Sequence, residues 1–311
     1  MAALTQPRHK QQQQKQQHSR LFTPYRAIGS ITDGAPFGIN RLGDVTFITT
    51  TVGNAFQVFE ADKLRLAIVA PPLLEGGNVV GVQAQKSRTF VATERCIQVW
   101  DRVTLVKGNL FAAAAASATT NDVNTLPKGS KVVALLLLGD VLLGLTSQGK
   151  LHVWDSRSLE TVDGGSLSIE GNFRTGGVLV HPDTYLNKVL IGDGSGRLML
   201  WNIRSRKLVH ELVLDGAAAA ATAAITALEA SPAIDVVAVG RADGTISLIN
   251  LRYDKILFSL RQDKVPVTSL AFRTDASAAA QDCPMLASGG HDGQVYIWDL
   301  KAQRLHSSVG G

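Results

Sequence analysis

Four sets of residues in this chain have side chains suited to chemistry: seven histidines, two cysteines, one glycine-rich run and one small basic cluster. A histidine serves as a general base or metal ligand only beside a second ligating or orienting group. The seven lie at positions 9, 18, 152, 181, 210, 291 and 306, and none has metal-ligand spacing to a second His, Cys or carboxylate. His291 sits in the run GGHDG, where it decorates a turn. Cys96 and Cys283 are isolated, which gives neither a disulfide framework nor a zinc pattern. They read as strand or loop thiols in a reducing compartment. The run GDGSG (Gly192 to Gly196) has the small residues of a phosphate loop. It lacks the Lys-Ser/Thr of a P-loop, and an apolar strand pattern rather than a helix follows it. Arg204, Arg206 and Lys207 read as a solvated turn rather than a phosphate contact. The sequence therefore predicts no catalytic, cofactor-binding or metal-ligating residue and no small-molecule substrate.

The residues that do recur belong to elements, not to a site. An alternating apolar strand closes on Trp-Asp or a degraded form of it: IQVWD, LHVWD, LMLWN, ISLIN and VYIWD, with a weaker FQVFE ahead of them. The copies end at 60, 101, 155, 202, 250 and 299. Spacings of this size match the period of one propeller blade, and the Trp-Asp ending with a preceding Asp-Gly turn selects the WD40 type. Each copy carries a buried strand, a tight turn and the alternating strand, as in MLASGGHDGQVYIWDL. A further apolar stretch lies on either side. Four strands per unit make one blade, and blades bury their faces only by stacking on one another. The predicted fold is thus an all-β WD40 propeller with six recognisable four-stranded blades. The count fits a six-bladed ring or a seven-bladed ring short of one blade.

The blade positions expected to matter for structure are Phe59, Trp100, Asp101, Trp154, Asp155, Trp201, Asn202, Asp243, Ser288, Asp292, Trp298 and Asp299. In the sixth copy, Ser288, Asp292 and Trp298 are expected to share a hydrogen-bond network that lacks its usual upstream histidine. Gly289 and Gly293 are expected to supply the positive φ of the turn.

The chain has 311 residues, 45% of them hydrophobic and 6% aromatic, with a formal net charge of +5. That is ample for a core and compatible with work beside RNA, without requiring it. The strongest apolar run, VVALLLL (Val132 to Leu138), is too short to cross a bilayer and reads as a buried strand. No apolar signal-peptide core opens the chain. Residues 1–20 form a Gln-rich basic tail expected to be disordered. The propeller is expected over 21–311, with Arg26 to Ile31 as an isolated outer strand that completes the last blade. Ala-rich insertions are expected near 108–131, 215–224 and 276–282.

The first copy narrows the class. The stretch from Ser19 to Pro71 resembles the N-terminus of one WD40 family, the U3 snoRNA-associated protein 21 or WD-repeat protein 36 family. That family shows an F-x-P-[FY]-R-A-[IL]-G segment, matched here by Phe22, Pro24, Tyr25, Arg26, Ala27, Ile28 and Gly29. It also shows T-x-V-G-x-[AS]-F-Q-V-[FY], matched by Val52, Gly53, Ala55 and Phe56 to Phe59. The degraded ending FQVFE fits this family better than a generic Trp-Asp blade. The resemblance implies a non-enzymatic scaffold of the small-subunit processome in the nucleolus. It implies proteins of the periodic tryptophan protein 2 subcomplex, U3 snoRNA and the pre-rRNA particle as partners, in processing of pre-18S rRNA. It brings no membrane partner. Family members are longer, with two tandem propellers and a helical C-terminal domain. The alternative is a generic WD40 adaptor, such as a ubiquitin-ligase substrate receptor or a signalling scaffold, since fold alone does not set function.

Overall fold

A computed structural model describes residues 32–73, 77–111, 126–212, 214, 223–263, 265–274 and 283–310. It contains twenty-four strands in six four-stranded antiparallel sheets. Blade one holds β1 to β4 (Gly38–Leu42, Val45–Val52, Ala55–Glu60 and Arg65–Val69). Blade two holds β5 to β8 (Val79–Gln85, Arg88–Thr93, Ile97–Asp101 and Thr104–Lys107). Blade three holds β9 to β12 (Val132–Leu138, Val141–Thr146, Lys150–Asp155 and Thr161–Ser168). Blade four holds β13 to β16 (Gly177–Val180, Lys188–Asp193, Leu198–Asn202 and Lys207–Leu212). Blade five holds β17 to β20 (Ile225–Ala230, Val236–Arg241, Thr245–Asn250 and Lys255–Arg261). Blade six holds β21 to β24 (Val267–Phe272, Met285–Gly290, Gln294–Asp299 and Arg304–Gly310).

The six blades form a ring, a six-bladed β-propeller, as the repeat count allows. From blade one through blade six, each first strand packs against the first strand of the following blade, so these strands line the axis. The two middle strands are the most buried, because a blade covers both of their faces. Their alternating side chains divide between two inter-blade cores. In blade three, Leu142 and Trp154 pack with Phe90, Ile97 and Val99 of blade two. Leu143, Leu145 and Leu151 pack with Val189 and Ile191 of blade four. This is the period-two logic of a strand buried on both sides.

The joint between blades six and one differs from the other five. Among the described residues, no first-strand contact of comparable extent links these two blades. Phe56, Ile97, Leu151, Leu198 and Ile246 occupy one repeat position and are 0% exposed, whereas Val295 at that position in blade six is 43% exposed. The outer strand of blade six is β24, so the chain's own C-terminal residues fill the place expected for Arg26 to Ile31. That segment, the tail at 1–20 and most of the three insertions lie outside the described residues. The first two insertions link blade to blade, between β8 and β9 and between β16 and β17. The third joins β21 to β22 and so belongs to the opposite end of the propeller.

Candidate functional site

The Trp-Asp ending performs two separable tasks. In blades two, three, four and six the tryptophan packs back onto the preceding blade. Trp100 meets Phe56 of blade one edge-on at 5.9 Å, and Trp154 meets Phe111 of the preceding link at 5.3 Å. Phe59 is 2% exposed and Trp298 is 4% exposed. In all six blades the pairing of the third and fourth strands shifts register at this aromatic position, or at Ile249 in blade five. A bulge re-aims one side chain and sharpens the local twist, which suits a bulky residue that must reach the neighbouring sheet.

The acidic or amide position caps the turn that follows. Asp155 Oδ1 accepts hydrogen bonds from the backbone N–H groups of Arg157 and Ser158 at 2.8 and 2.7 Å. These bonds hold its carboxyl below the usual carboxylate range. Asp299 accepts from Lys301 and Ala302, both at 2.9 Å. Asn250 accepts from Arg252 and Tyr253, both at 3.1 Å, and Asn202 from Ser205 at 2.9 Å. These are Asx turns, which need an oxygen acceptor but no charge. Blade one replaces the cap with an ion pair between Glu60 and Arg65 at 2.6 Å. In blade two Asp101 pairs with Thr104 across a two-residue turn. Every one of these turns places a non-glycine residue at positive φ: Leu64, Arg102, Leu159, Arg206, Asp254 and Gln303.

The turn between second and third strands is held in two ways. In blades five and six the turn's own aspartate does it. Asp243 accepts from Thr245 N–H and Oγ1 at 3.0 and 2.9 Å, and Asp292 accepts from Gln294 N–H at 3.1 Å and Tyr296 O–H at 2.6 Å. In blades two to four the last residue of the second strand does it: Thr93, Thr146 and Asp193 accept from Cys96, Lys150 and Arg197 N–H. Asp193 is fully buried and also accepts from Asn172 N–H and from Ser195. The GDGSG run is therefore a carboxylate-tied blade turn leading into β15. Sequence reasoning missed Asp193, although an Asp two residues before Ser is the signature of an Asx turn.

The sixth-blade network differs from its expected form. Trp298 Nε1–H donates to Ser288 Oγ at 2.9 Å, and Ser288 donates to Gln262 Oε1 at 2.8 Å. Asp292 takes no part; its carboxylate is engaged by Gln294 and Tyr296. Gln262, from the link after β20, supplies the third group and donates onward to the carbonyls of Val265 and Pro266. Gly293 has φ +76, while Gly289 has ordinary strand geometry. Trp100 and Trp201 Nε1 find no acceptor among the described residues.

No group of three or more His, Cys, Asp or Glu able to hold a metal is gathered among the described residues, and no helix there is long and apolar enough to cross a membrane. Cys96 is buried against Thr93 and Gln98. His152 is buried beside Trp154, stacked at 5.6 Å, and neither ring nitrogen finds a partner among the described residues. Burial, with repulsion from Lys150, lowers its pKa to about 4. Burial on β17, with Asp183 nearby, raises that of Glu229 to about 7. A cleft of about 210 Å³ between blades two and three is lined by Gln85, Arg88, Asp140 and Arg157. Arg88 is committed there to the carbonyls of Ser156 and Arg157, and Arg157 to Asp140 at 2.7 Å. The cleft is smaller than the few hundred Å³ typical of small-molecule sites.

Comparison with known proteins places the chain. Residues 48–311 match the family model for the WDR36/Utp21 first beta-propeller. The U3 small nucleolar RNA-associated protein 21 homolog of Schizosaccharomyces pombe is 31% identical over 293 residues, covering 93% of this chain and 29% of the relative. WD repeat-containing protein 36 of Homo sapiens is 30% identical over 291 residues, with 92% and 29% coverage. U3 small nucleolar RNA-associated protein 21 of Saccharomyces cerevisiae is 25% identical over 304 residues, with 93% and 28% coverage. The chain thus spans less than a third of the length of these relatives. Among solved structures, the computationally designed Ika8 protein superposes with a TM-score of 0.57 at 19% identity, over 88% of this chain and 74% of that one, a likeness of fold alone. With a family model matched over most of its length, the chain belongs to the WDR36/Utp21 family and carries that family's first β-propeller.

Proposed function

We propose that this chain is a non-catalytic scaffold of the small-subunit processome, acting in U3 snoRNA-dependent processing of pre-18S rRNA in the nucleolus. The observation that carries this reading is the family match over residues 48–311, together with relatives named for association with U3 small nucleolar RNA. The molecule is suited to it physically. Its polar groups are spent on holding turns and joining blades, and its rims offer broad surfaces rather than an enclosed pocket. Proteins of the periodic tryptophan protein 2 subcomplex are the partners the reading calls for.

Imaging of the tagged chain in living cells tests it. Nucleolar enrichment that disperses when rRNA synthesis is blocked is the expected result. A diffuse cytosolic signal under both conditions contradicts it.

A further inference from the structure

The turns between third and fourth strands all emerge at one end of the propeller, because consecutive strands alternate in direction. Their charges are unevenly shared. In blades four to six the cap residue is followed at its second and fifth positions by a cation. The pairs are Arg204 and Lys207, Arg252 and Lys255, and Lys301 and Arg304. All six side chains are exposed, and none is in an ion pair among the described residues. Blades one to three lack this ladder. Arg65 is neutralised by Glu60 and Arg157 by Asp140, and Glu160 occupies the fifth position in blade three.

The caps sharpen the contrast. Blades four and five use Asn202 and Asn250 where blades two, three and six use aspartate. The Asn250 amide oxygen makes the same two turn bonds as the Asp155 carboxylate, and that of Asn202 makes one of them, so the exchange removes negative charge and keeps an oxygen acceptor in the turn. His210 of β16 bonds Asp254 of the next turn at 2.7 Å, which joins blades four and five into one surface and occupies that turn's carboxylate. Within the blade-five pair, next to Arg252, stands Tyr253, 71% exposed, with the Arg252 guanidinium 5.6 Å from its ring centre.

Regularly spaced unpaired cations suit a repeating anion, and an exposed aromatic among them suits a base. We propose that this end of blades four to six binds single-stranded RNA directly, with the cation pairs on phosphates and Tyr253 stacked on a base. An acidic polypeptide would use the cations but leave the tyrosine without a role. The inference goes beyond the scaffold reading, which protein contacts alone would satisfy.

The test is fluorescence anisotropy of the purified chain with oligouridine of about 16 nucleotides, across a salt series. Asn202→Asp with Asn250→Asp keeps both caps and is expected to weaken binding about tenfold at low salt, with the thermal midpoint unchanged. Lys207→Gln with Lys255→Gln is expected to flatten the log Kd against log salt slope by about 1.4. Tyr253→Leu is expected to weaken binding about tenfold and leave that slope in place. The control, Lys63→Gln with Arg102→Gln, is expected to hold Kd within about twofold, since its cations lie outside the ladder. The proposal is overturned by absent binding, by a control that loses as much as the Lys207 and Lys255 variant, or by polyglutamate that displaces the RNA at equal charge. None of these outcomes bears on nucleolar location, so the two readings fail separately.

Discussion

The indole N–H of Trp298 lies 2.9 Å from the hydroxyl oxygen of Ser288, and both residues are buried. The hydroxyl donates its own hydrogen bond to Gln262 Oε1, so one serine joins the third strand, the second strand and the link from the preceding blade. Ser288→Ala leaves an indole N–H and an amide oxygen buried without partners. We expect a loss of about 1–3 kcal/mol in urea unfolding. Adding Trp298→Phe to that variant removes one orphaned group, so the double variant is expected to lose less than the sum of its singles.

Close approach of successive blades depends on two glycines at one repeat position. A Cβ on Gly192 would lie 2.6 Å from Ile225 Cγ2, and one on Gly240 would lie 2.5 Å from Val267 Cγ1. Both partners are on the first strand of the next blade, where the core leaves no room to shift. Gly192→Ala and Gly240→Ala are each expected to destabilise by about 1–3 kcal/mol, read as a lowered urea midpoint. Gly43→Ala, with no atom within 4 Å of the added Cβ, provides the comparison for backbone strain alone, since its φ is +62.

A buried histidine and a half-buried glutamate act in opposite directions on stability. His152 has a folded pKa lowered to about 4, so the unfolded chain binds more protons as pH falls below the ordinary histidine value. Its contribution is present near neutrality and is lost as pH drops toward 4, by up to about 3 kcal/mol. Glu229 has a folded pKa raised to about 7, so the folded chain holds the extra proton. Its contribution is present below the ordinary carboxylate range and is lost as pH rises through 7, by a smaller amount because the group is partly exposed. His152→Phe is expected to flatten the acid-side fall, and Glu229→Gln the fall towards pH 7. Thermal unfolding across pH 4 to 8 separates them.

Much of the fold was legible in the sequence because blade stacking imposes it residue by residue. The strand endings at Trp100, Trp154, Trp201 and Trp298 mark every third strand from blade two onward, blade five excepted, where Ile249 stands instead. Val132–Leu138 is the strand its apolar run suggested, although many of its side chains are only half-buried. Gln262 was not legible, since it lies in a link, twenty-six positions before the serine it serves, and its residue type carries no periodic mark. The basic turns were visible only as Arg204, Arg206 and Lys207. Their recurrence in blades five and six became meaningful once the turns were known to share one end and the asparagines were seen to cap without charge. Val295 is exposed where the same repeat position is buried in the other five blades, a difference no local pattern encodes.

The central claim is that this propeller works within a U3-containing particle. Affinity purification of the tagged chain, with the bound RNA sequenced and the bound proteins identified, tests it most directly. The account predicts strong enrichment of U3 snoRNA over other small nucleolar RNAs, together with small-subunit processome proteins. Recovery of ubiquitin-ligase or signalling components, with U3 at background, would contradict it.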